Sequence, residues 1–177
     1  MDAFTVANYL LCIMSEAVED ITNEKVNELL YLAQGSYLAK YGRPLFDDKI
    51  EAWDFGPAIP AVCSAYKGYG DKPIRGYNAS LITEVPSDAE DLLYDVARAY
   101  GRYTAEALQK VICSSGSPWS QAHQMGKPHI EISPTQIKSY FASLGEFKPK
   151  EKEFKDSDFI GYRDAAGILV LPKEWDE

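Results

Sequence analysis

The stretch from Thr22 to Pro44 constrains the fold most, because it carries a helical period together with signals for both helix ends. Its apolar residues recur every three or four positions, which places them on one face of an α-helix. They are Val26, Leu29, Leu30, Ala33 and Tyr37. Thr22 is suited to cap the helix start, Gly42 supplies a left-handed stop, and Pro44 follows it. The stretch predicts a long amphipathic helix with one buried face.

Similar patterns predict that most of the chain is helical. An apolar stripe runs through residues 4 to 18, and further helices are predicted after several start signals. These signals are Pro60, Ser87 with Glu90 as a capping box, Thr104, Ser117 with Pro118, and Ser133 with Pro134. The run from Ile50 to Phe55 fits a strand edge or a helical turn, and Gly56-Pro57 is expected to end it. Residues 68 to 85 are expected to form a loop.

The end of the sequence differs in composition from the helical part. Residues 146 to 158 are highly charged, and the run FIGYRDAAGILVLP after them reads as two β-prone segments around a turn. A chain of 177 residues suits one domain. The sequence therefore predicts an α+β, mainly α-helical fold with a small antiparallel hairpin or sheet. The domain is expected to span residues 1 to 177, with a helical core at about 4 to 145 and a charged connection and C-terminal hairpin at 146 to 177.

The charge balance favours a basic partner and disfavours nucleic acid. Eighteen basic residues oppose 27 acidic ones, which gives a net charge of −9. Residues 1 to 24 and residues 84 to 95 each carry five acids and no lysine or arginine, so two negative faces are expected. The N-terminus lacks the basic region of a signal peptide, and no apolar run approaches the ~20 residues of a membrane span. Three widely spaced cysteines fit core thiols in a reducing compartment, so the sequence predicts a cytoplasmic protein.

No catalytic or metal motif stands out. His123, His129 and the scattered cysteines lack the spacing of a zinc site, and phosphate-loop, dinucleotide-binding and G-x-S-x-G motifs are absent from the sequence. The best candidate for an enzyme is Ser114 to Ser117 with His123, since a serine-rich helix start can hold a phosphate. Capping of the next helix is the favoured interpretation of the same residues. We therefore predict no catalytic residue, no cofactor and no metal.

The segment from Asp47 to Gly70 is dense in aromatic residues, glycine and proline. Such a segment is most simply a rigid connector, in which Trp53 is an anchor that we expect to be mostly buried. We predict that Phe55, Tyr66, Lys67 and Tyr69 help to frame a surface for a protein partner. Two alternatives remain open at this point: all the aromatic side chains pack inside, or the mixture of tyrosines and nearby basic residues stacks on single-stranded nucleic acid.

Several short motifs occur together in a fixed order. The motif residues predicted to be structural are Leu29, Leu30, Tyr31, Trp53, Gly56, Pro57, Pro118 and Trp119. The wider pattern runs from Lys25 to Gly35, through Pro44-Leu45-Phe46, Ile50 to Pro60, Val96, Tyr100-Gly101, Thr104-Ala105 and Leu108, to Pro118-Trp119. In these motifs the chain resembles the Panacea or SocA-like antitoxin family, which includes phage-associated proteins. The resemblance covers roughly residues 4 to 145.

The chain departs from the family pattern at two places. Lys25-Val26-Asn27-Glu28 stands where the family often has lysine-leucine-glutamine-lysine, which reverses one charge on the second helix. Cys113-Ser114 stands where a threonine-histidine pair usually precedes the proline-tryptophan, and Gly116 replaces an acid. If that polar cluster carries a family activity, this member lacks it; if it only joins helices, the fold survives without it.

The resemblance implies a protein that neutralises a toxin encoded by a neighbouring gene through direct contact. It also implies an alternative, because one described member acts as an adaptor that delivers its toxin to a protease. A small-substrate enzyme using the Ser114 to Ser117 and His123 region is the third function class. The sequence identifies neither the toxin nor the oligomeric state.

Overall fold

The computed structural model describes residues 1–14, 21–82, 85–127 and 129–144, together with the backbone of residues 162–163 and 169–170. The helices are α1 (Ala3–Met14), α2 (Asn23–Tyr41), α3 (Pro60–Ala65), α4 (Ala79–Ile82), α5 (Ser87–Tyr100), α6 (Ala105–Ile112), α7 (Pro118–Ala122) and α8 (Pro134–Ser143). The strands are β1 (Glu51–Trp53), β2 (Gly56–Ala58), β3 (Tyr162–Arg163) and β4 (Leu169–Val170). The predicted fold class, α+β and mainly helical, is confirmed.

Helix α2 is the centre of the fold, and its predicted ends are confirmed. The Thr22 hydroxyl accepts a hydrogen bond from the Lys25 amide at 3.2 Å, and Gly42 adopts a left-handed φ of 73° at the other end. Every residue from Lys25 to Leu38 is buried, because α1, α3, α5, α6, α8 and β2 all pack against this helix. The motif residues Leu29, Leu30 and Tyr31 lie in this core. The helical period of the apolar residues predicted one buried face, whereas the structure buries α2 on all sides from Lys25 to Leu38.

A small residue in α2 allows helix α8 to approach closely. A Cβ atom added at Gly35 would collide with the ring of Phe141. Phe141 in turn packs edge-on against Tyr31, with ring centroids 5.6 Å apart. Glycine is therefore required at this position by packing rather than by backbone conformation.

The loop after α2 is fixed by one buried side chain. The Gln34 amide oxygen accepts hydrogen bonds from the backbone amides of Leu45 at 2.8 Å and Phe46 at 3.3 Å, and its nitrogen donates to the Phe46 carbonyl at 2.9 Å. Leu45 and Phe46 are buried, so their backbone groups need these partners. Gln34 thereby substitutes for the regular hydrogen bonds that this irregular segment lacks.

The run from Ile50 to Phe55 is a strand and a turn, which decides the open alternative. β1 pairs antiparallel with β2 in the register Glu51 to Ala58, Ala52 to Pro57 and Trp53 to Gly56. Asp54 and Phe55 form the tip of this hairpin. Gly56-Pro57 does not end the segment as expected, because these residues are the second strand; Gly56 adopts a φ of 135° that favours glycine. Residues 130–132 extend the other edge through the bonds Ala52 N to Ile130 O and Ile132 N to Ile50 O, both 2.8 Å.

Some of the predicted helix caps are confirmed and others are wrong. The hydroxyls of Thr104 and Ser117 cap α6 and α7, accepting from Ala107 N at 3.3 Å and Ser120 N at 3.1 Å. The capping box at Ser87 is wrong, because extended Pro86 holds the cap position and Ser87 is already helical. Ser133 likewise precedes α8 without a side-chain cap bond.

Other predicted boundaries also differ from the structure. Helix α4 lies inside residues 68 to 85, which were expected to form a loop. Helix α1 is described from Ala3 to Met14, and residues 15 to 18 of its predicted span lie outside the described residues, so its predicted end stays a prediction. No helix in the described part of the chain is long and apolar enough to cross a membrane.

The C-terminal prediction is confirmed for its strands. β3 and β4 pair antiparallel, with Tyr162 opposite Val170 and Arg163 opposite Leu169. The residues that join the two strands, and the charged connection at 146 to 158, lie outside the described residues.

Candidate functional site

A groove of about 1010 Å³ lies between the start of α2, the tip of the β1–β2 hairpin, α3 with the 3₁₀ turn at Lys67–Tyr69, and the start of α6. The residues that line it and that matter below are Glu24, Asn27, Trp53, Phe55, Lys67, Asp71 and Glu106. These residues come from four separate parts of the chain. The groove is therefore a product of the tertiary fold.

Two asparagines fix the wall between α2 and α3. The Asn27 oxygen accepts a hydrogen bond from the Ile59 amide at 2.8 Å, which satisfies the backbone just before α3. The Asn27 amide group donates to the Asn23 carbonyl at 2.8 Å, and the Asn23 amide group donates to the Cys63 carbonyl at 3.0 Å. The sequence analysis missed this pair, although two asparagines four positions apart at a helix start are a detectable signal.

Side chains from α6, from α7 and from His123 at the C-cap of α7 hold the hairpin tip at three consecutive residues. Trp119 donates its indole N–H to the Trp53 carbonyl at 3.0 Å, and the Gln109 amide donates to the Phe55 carbonyl at 2.6 Å. Between them, His123 Nε2 lies 2.8 Å from Asp54 Oδ1. The tip is therefore positioned by the helical body and not only by its own two strands.

The aromatic residues of the tip are exposed to different degrees. Phe55 keeps 41% of its surface exposed. Trp53 is only partly accessible and is less exposed than Phe55, in agreement with the expected anchor. Its indole N–H donates to Glu51 Oε2 at 2.7 Å, and its ring meets the Phe55 ring edge-on at 5.4 Å. Trp53 lies on the short hairpin, so its ring reaches the groove. There it forms one wall together with Phe55.

The predicted partner-binding residues do not form one surface. Phe55 and Lys67 are exposed and line the groove. The expected exposure of Tyr66 is wrong: only 7% of it is accessible, because α3 ends at Ala65 and the next side chain turns inward onto α1. Its hydroxyl lies 3.3 Å from Asn8 Nδ2, and burial raises the pKa of Tyr66 to about 12. Tyr69 is half-buried and donates to the Arg75 carbonyl at 3.0 Å.

Acidic side chains from three segments meet at the groove. Glu24, Asp71 and Glu106 line it, and Glu28 lies behind Glu24 on α2. Burial, followed by the charges of Glu24 and Glu106, raises the pKa of Glu28 to about 9, and Lys25 opposes this shift. Burial and the same kind of repulsion, from Glu106 and Asp71, also raise the pKa of Glu24. Glu24, one of the five acids predicted to give residues 1 to 24 a negative face, thus joins acids that lie far away in the sequence.

The serine and histidine candidates are not brought together. Ser117 is buried and caps α7, whereas Ser114 and Ser115 are exposed. The His123 ring stacks on Trp119 with centroids 4.3 Å apart while its Nε2 contacts Asp54. His123 therefore serves the hairpin tip in the described part of the chain.

The cysteines near the groove have the character of structural thiols. Burial, reinforced by the charge of Glu28, raises the pKa of Cys113 to about 12, and burial raises that of Cys63 to about 11. Both thiols therefore stay protonated at neutral pH, which makes them poor nucleophiles. Within residues 1–14, 21–82, 85–127 and 129–144, no group of three or more histidine, cysteine or acidic residues is arranged to hold a metal.

Comparison with known proteins decides the family. The family model described as antitoxin SocA-like, Panacea domain, matches residues 26–120, more than half of the chain. Antitoxin SocA of Caulobacter vibrioides (strain NA1000 / CB15N) is 33% identical over 129 residues, which cover 67% of this chain and 69% of that protein. This chain belongs to the SocA-like antitoxin family. No solved structure matches it.

Family membership supports an antitoxin role and confirms the resemblance drawn from the motifs. The matched block of this SocA-like protein begins in α2 and ends in α7, so it contains the hairpin, α3 and the start of α6. Pro57, Pro118 and Gly56 are buried within it, and Trp119 holds the hairpin tip. Most of the groove is therefore built from the part of the chain that defines the family.

Proposed function

We propose that this protein is an antitoxin that neutralises a protein toxin by binding it directly at the groove. Family membership supports the antitoxin role. The direct-contact mechanism rests on one observation, which is the hairpin tip held at Trp53, Asp54 and Phe55 by side chains of Trp119, His123 and Gln109. A recognition element that is fixed before binding loses less conformational entropy when the partner arrives.

The composition of the groove supports a protein partner. Phe55 offers exposed aromatic area beside Trp53, and such residues contribute most of the binding free energy at many interfaces. The acids along the same groove disfavour phosphate groups, which argues against nucleic acid. The partner that the proposal names is a toxin encoded by a neighbouring gene.

Co-expression tests this proposal. The protein is produced with the product of each adjacent open reading frame, and growth and co-purification are scored together. We expect one product to be toxic alone, harmless with this protein, and recovered in a complex with it. Phe55→Ala should weaken rescue, whereas Tyr94→Ala, which removes a 57% exposed aromatic residue on α5, should not.

The same experiment separates the other mechanisms. Direct neutralisation predicts that the amount and the intact mass of the toxin do not change when this protein is present. A toxin that decays faster would indicate a proteolytic adaptor, and a toxin with an altered mass would indicate an enzyme. Absence of any toxic or co-purifying neighbour would contradict the antitoxin proposal itself.

A further inference from the structure

The lining of the groove has an excess of negative charge. Glu24, Asp71 and Glu106 carry three carboxylates, and Lys67 is the only base among the described residues that line it. Glu24 and Glu106 act electrostatically on each other and on the buried Glu28. A cation that enters the groove is therefore attracted from several directions.

Glu28 supplies a second observation that points to a ligand. Only 1% of its surface is exposed, and neither carboxyl oxygen has a hydrogen-bond partner within the described part of the chain. A buried polar group without a partner is costly, and native proteins rarely leave one in this state. Its helix places it one turn after Glu24, and the groove acid Glu106 acts on it from α6. The unmet hydrogen-bonding capacity thus lies on the helix that carries Glu24, within electrostatic reach of two groove acids, Glu24 and Glu106.

An aromatic wall stands in the same groove. Trp53 and Phe55 line it from the hairpin tip, and Phe55 is well exposed. A guanidinium group stacks on aromatic faces and pairs with carboxylates through several N–H donors, which an ammonium group does less well. The combination of aromatic wall and carboxylates favours arginine over lysine.

We propose that the groove binds an arginine side chain from a basic segment of the partner protein, with its guanidinium paired to Glu24 and Glu106 and stacked on the hairpin tip. Where the partner is the toxin, this inference rests on the proposed function and names the chemistry of its contact surface. Glu28 is the buried carboxyl that responds to the incoming charge.

Binding is expected to release a proton from Glu28. The raised pKa of Glu28 keeps this carboxyl protonated at pH 7.5, and a nearby guanidinium favours its ionised form, so the proton passes to the solvent. The titratable groups that act on Glu28 are Glu24 and Lys25 on its own helix and Glu106 on α6. Glu28 in turn acts on Cys113 at the C-cap of α6, and β2, which packs against α2, has no titratable side chain.

Isothermal titration calorimetry with an arginine-rich peptide tests the proposal, and the same peptide with citrulline in place of arginine is the control. Citrulline keeps the shape of the side chain and removes its charge. We expect the citrulline peptide to bind at least about tenfold more weakly, and Glu24→Gln or Glu106→Gln to weaken the arginine peptide by about tenfold each. Asp91→Asn, which removes one exposed charge on α5, should leave binding unchanged.

Proton release is measured by repeating the titration in two buffers with different ionisation enthalpies. Wild-type protein should release protons at pH 7.5, and Glu28→Gln, which imitates the protonated carboxyl, should release fewer. Equal binding of the two peptides, or full binding by the Glu106→Gln variant, would overturn the proposed site. Equal proton release by wild type and Glu28→Gln would overturn the role of Glu28.

The outcomes also separate this inference from the proposed function. Selective binding of the arginine peptide without any toxin to neutralise would support the groove and contradict the antitoxin proposal. Toxin neutralisation that Glu24→Gln and Glu106→Gln leave intact would support the antitoxin proposal and contradict the arginine site.

Discussion

Glu28 and Gln34 lie on the same helix and are buried to almost the same degree, with 1% and 4% of their surfaces exposed, yet their surroundings are opposite. Gln34 makes three hydrogen bonds to the backbone of Leu45 and Phe46. The carboxyl oxygens of Glu28 make none with the described residues. Gln34 thus explains a feature of the fold, namely the path of the loop after α2, whereas the fold gives no reason for Glu28.

This contrast shows which buried polar groups specify the structure and which point to something outside it. A satisfied group such as Gln34 fixes one conformation, because every alternative leaves buried backbone groups unpaired. An unsatisfied group such as Glu28 lowers stability and gains a partner only when another molecule supplies one. Glu28 is acted on electrostatically by the groove acids Glu24 and Glu106, whereas Gln34 bonds to the loop after α2.

Replacement of Gln34 should have the largest effect on stability. Gln34→Leu keeps the volume but leaves the Leu45 and Phe46 backbone groups without partners, so we expect a loss of about 4 kcal/mol in the free energy of unfolding, measured in urea. Gln136→Leu on the exposed face of α8 should change it by less than about 0.5 kcal/mol. Equal losses in the two variants would show that the Gln34 bonds do not hold the loop.

Removal of the Asn27 side chain should have the next largest effect, because Asn27 connects the core to the groove. Asn27→Ala leaves the buried Ile59 amide unpaired, and we expect a loss of about 2 kcal/mol. The control is Asn23→Ala, which frees the Cys63 carbonyl and removes the Asn23 Oδ1 that accepts from the Asn27 amide group at 3.2 Å, but leaves the Ile59 amide paired, and it should cost about half as much. Thermal unfolding followed by circular dichroism compares the two variants, and a larger loss for Asn23→Ala would contradict this assignment.

The pH dependence of the free energy of unfolding tests whether Glu28 is protonated in the folded protein. Its folded-state pKa of about 9 lies above the ordinary value of 4.5, so the folded protein retains a proton that the unfolded chain releases between these values. Stability should therefore fall as the pH rises through this window, by at most about 1.4 kcal/mol per pH unit, and Glu28→Gln should flatten the slope.

Urea unfolding at a series of pH values measures this slope. Asp91→Asn serves as the matched control, since it removes an exposed acid from α5 and should keep the wild-type slope. A Glu28→Gln variant with an unchanged slope would show that Glu28 is ionised in the folded protein.

Two tyrosine hydroxyls show the same contrast between a hydrogen-bonded and an unpartnered group, here without charge. Their replacement should have the smallest effects on stability. The Tyr37 hydroxyl donates to Asp88 Oδ2 at 2.7 Å, and Tyr37→Phe should cost about 1 kcal/mol. The Tyr31 hydroxyl is buried without a partner among the described residues, so Tyr31→Phe should leave stability unchanged or raise it. Chemical denaturation of both variants checks the order, and a larger loss for Tyr31→Phe would reverse it.

Local signals were sufficient to predict much of the fold. Thr22, Gly42, Thr104 and Ser117 act through hydrogen bonds within one helical turn, so a short window of sequence contains all the partners. The capping box at Ser87 failed because Pro86 starts the helix one residue earlier than the motif requires. The sequence did not decide between a strand and a helical turn at Glu51–Trp53. This strand depends on pairing with β2 and with residues 130–132, which its own residues do not indicate.

The candidate site was predicted only in part, because it depends on contacts between distant segments. Phe55 and Lys67 were correctly expected to be exposed, whereas Tyr66 turns inward onto α1 through the geometry of the α3 end. The meeting of Glu24, Asp71 and Glu106 requires α2, the turn after α3 and α6 to converge. No periodic pattern in the sequence contains that information.

Growth rescue by a Glu106→Lys variant, compared with an Asp91→Lys variant, tests the central claim most directly. Both residues are exposed and both changes reverse one charge, but only Glu106 lines the groove. The account predicts that both variants fold like the wild type, that Asp91→Lys still neutralises the toxin, and that Glu106→Lys does not. Full rescue by a folded Glu106→Lys variant would contradict the claim that the acidic groove binds the toxin.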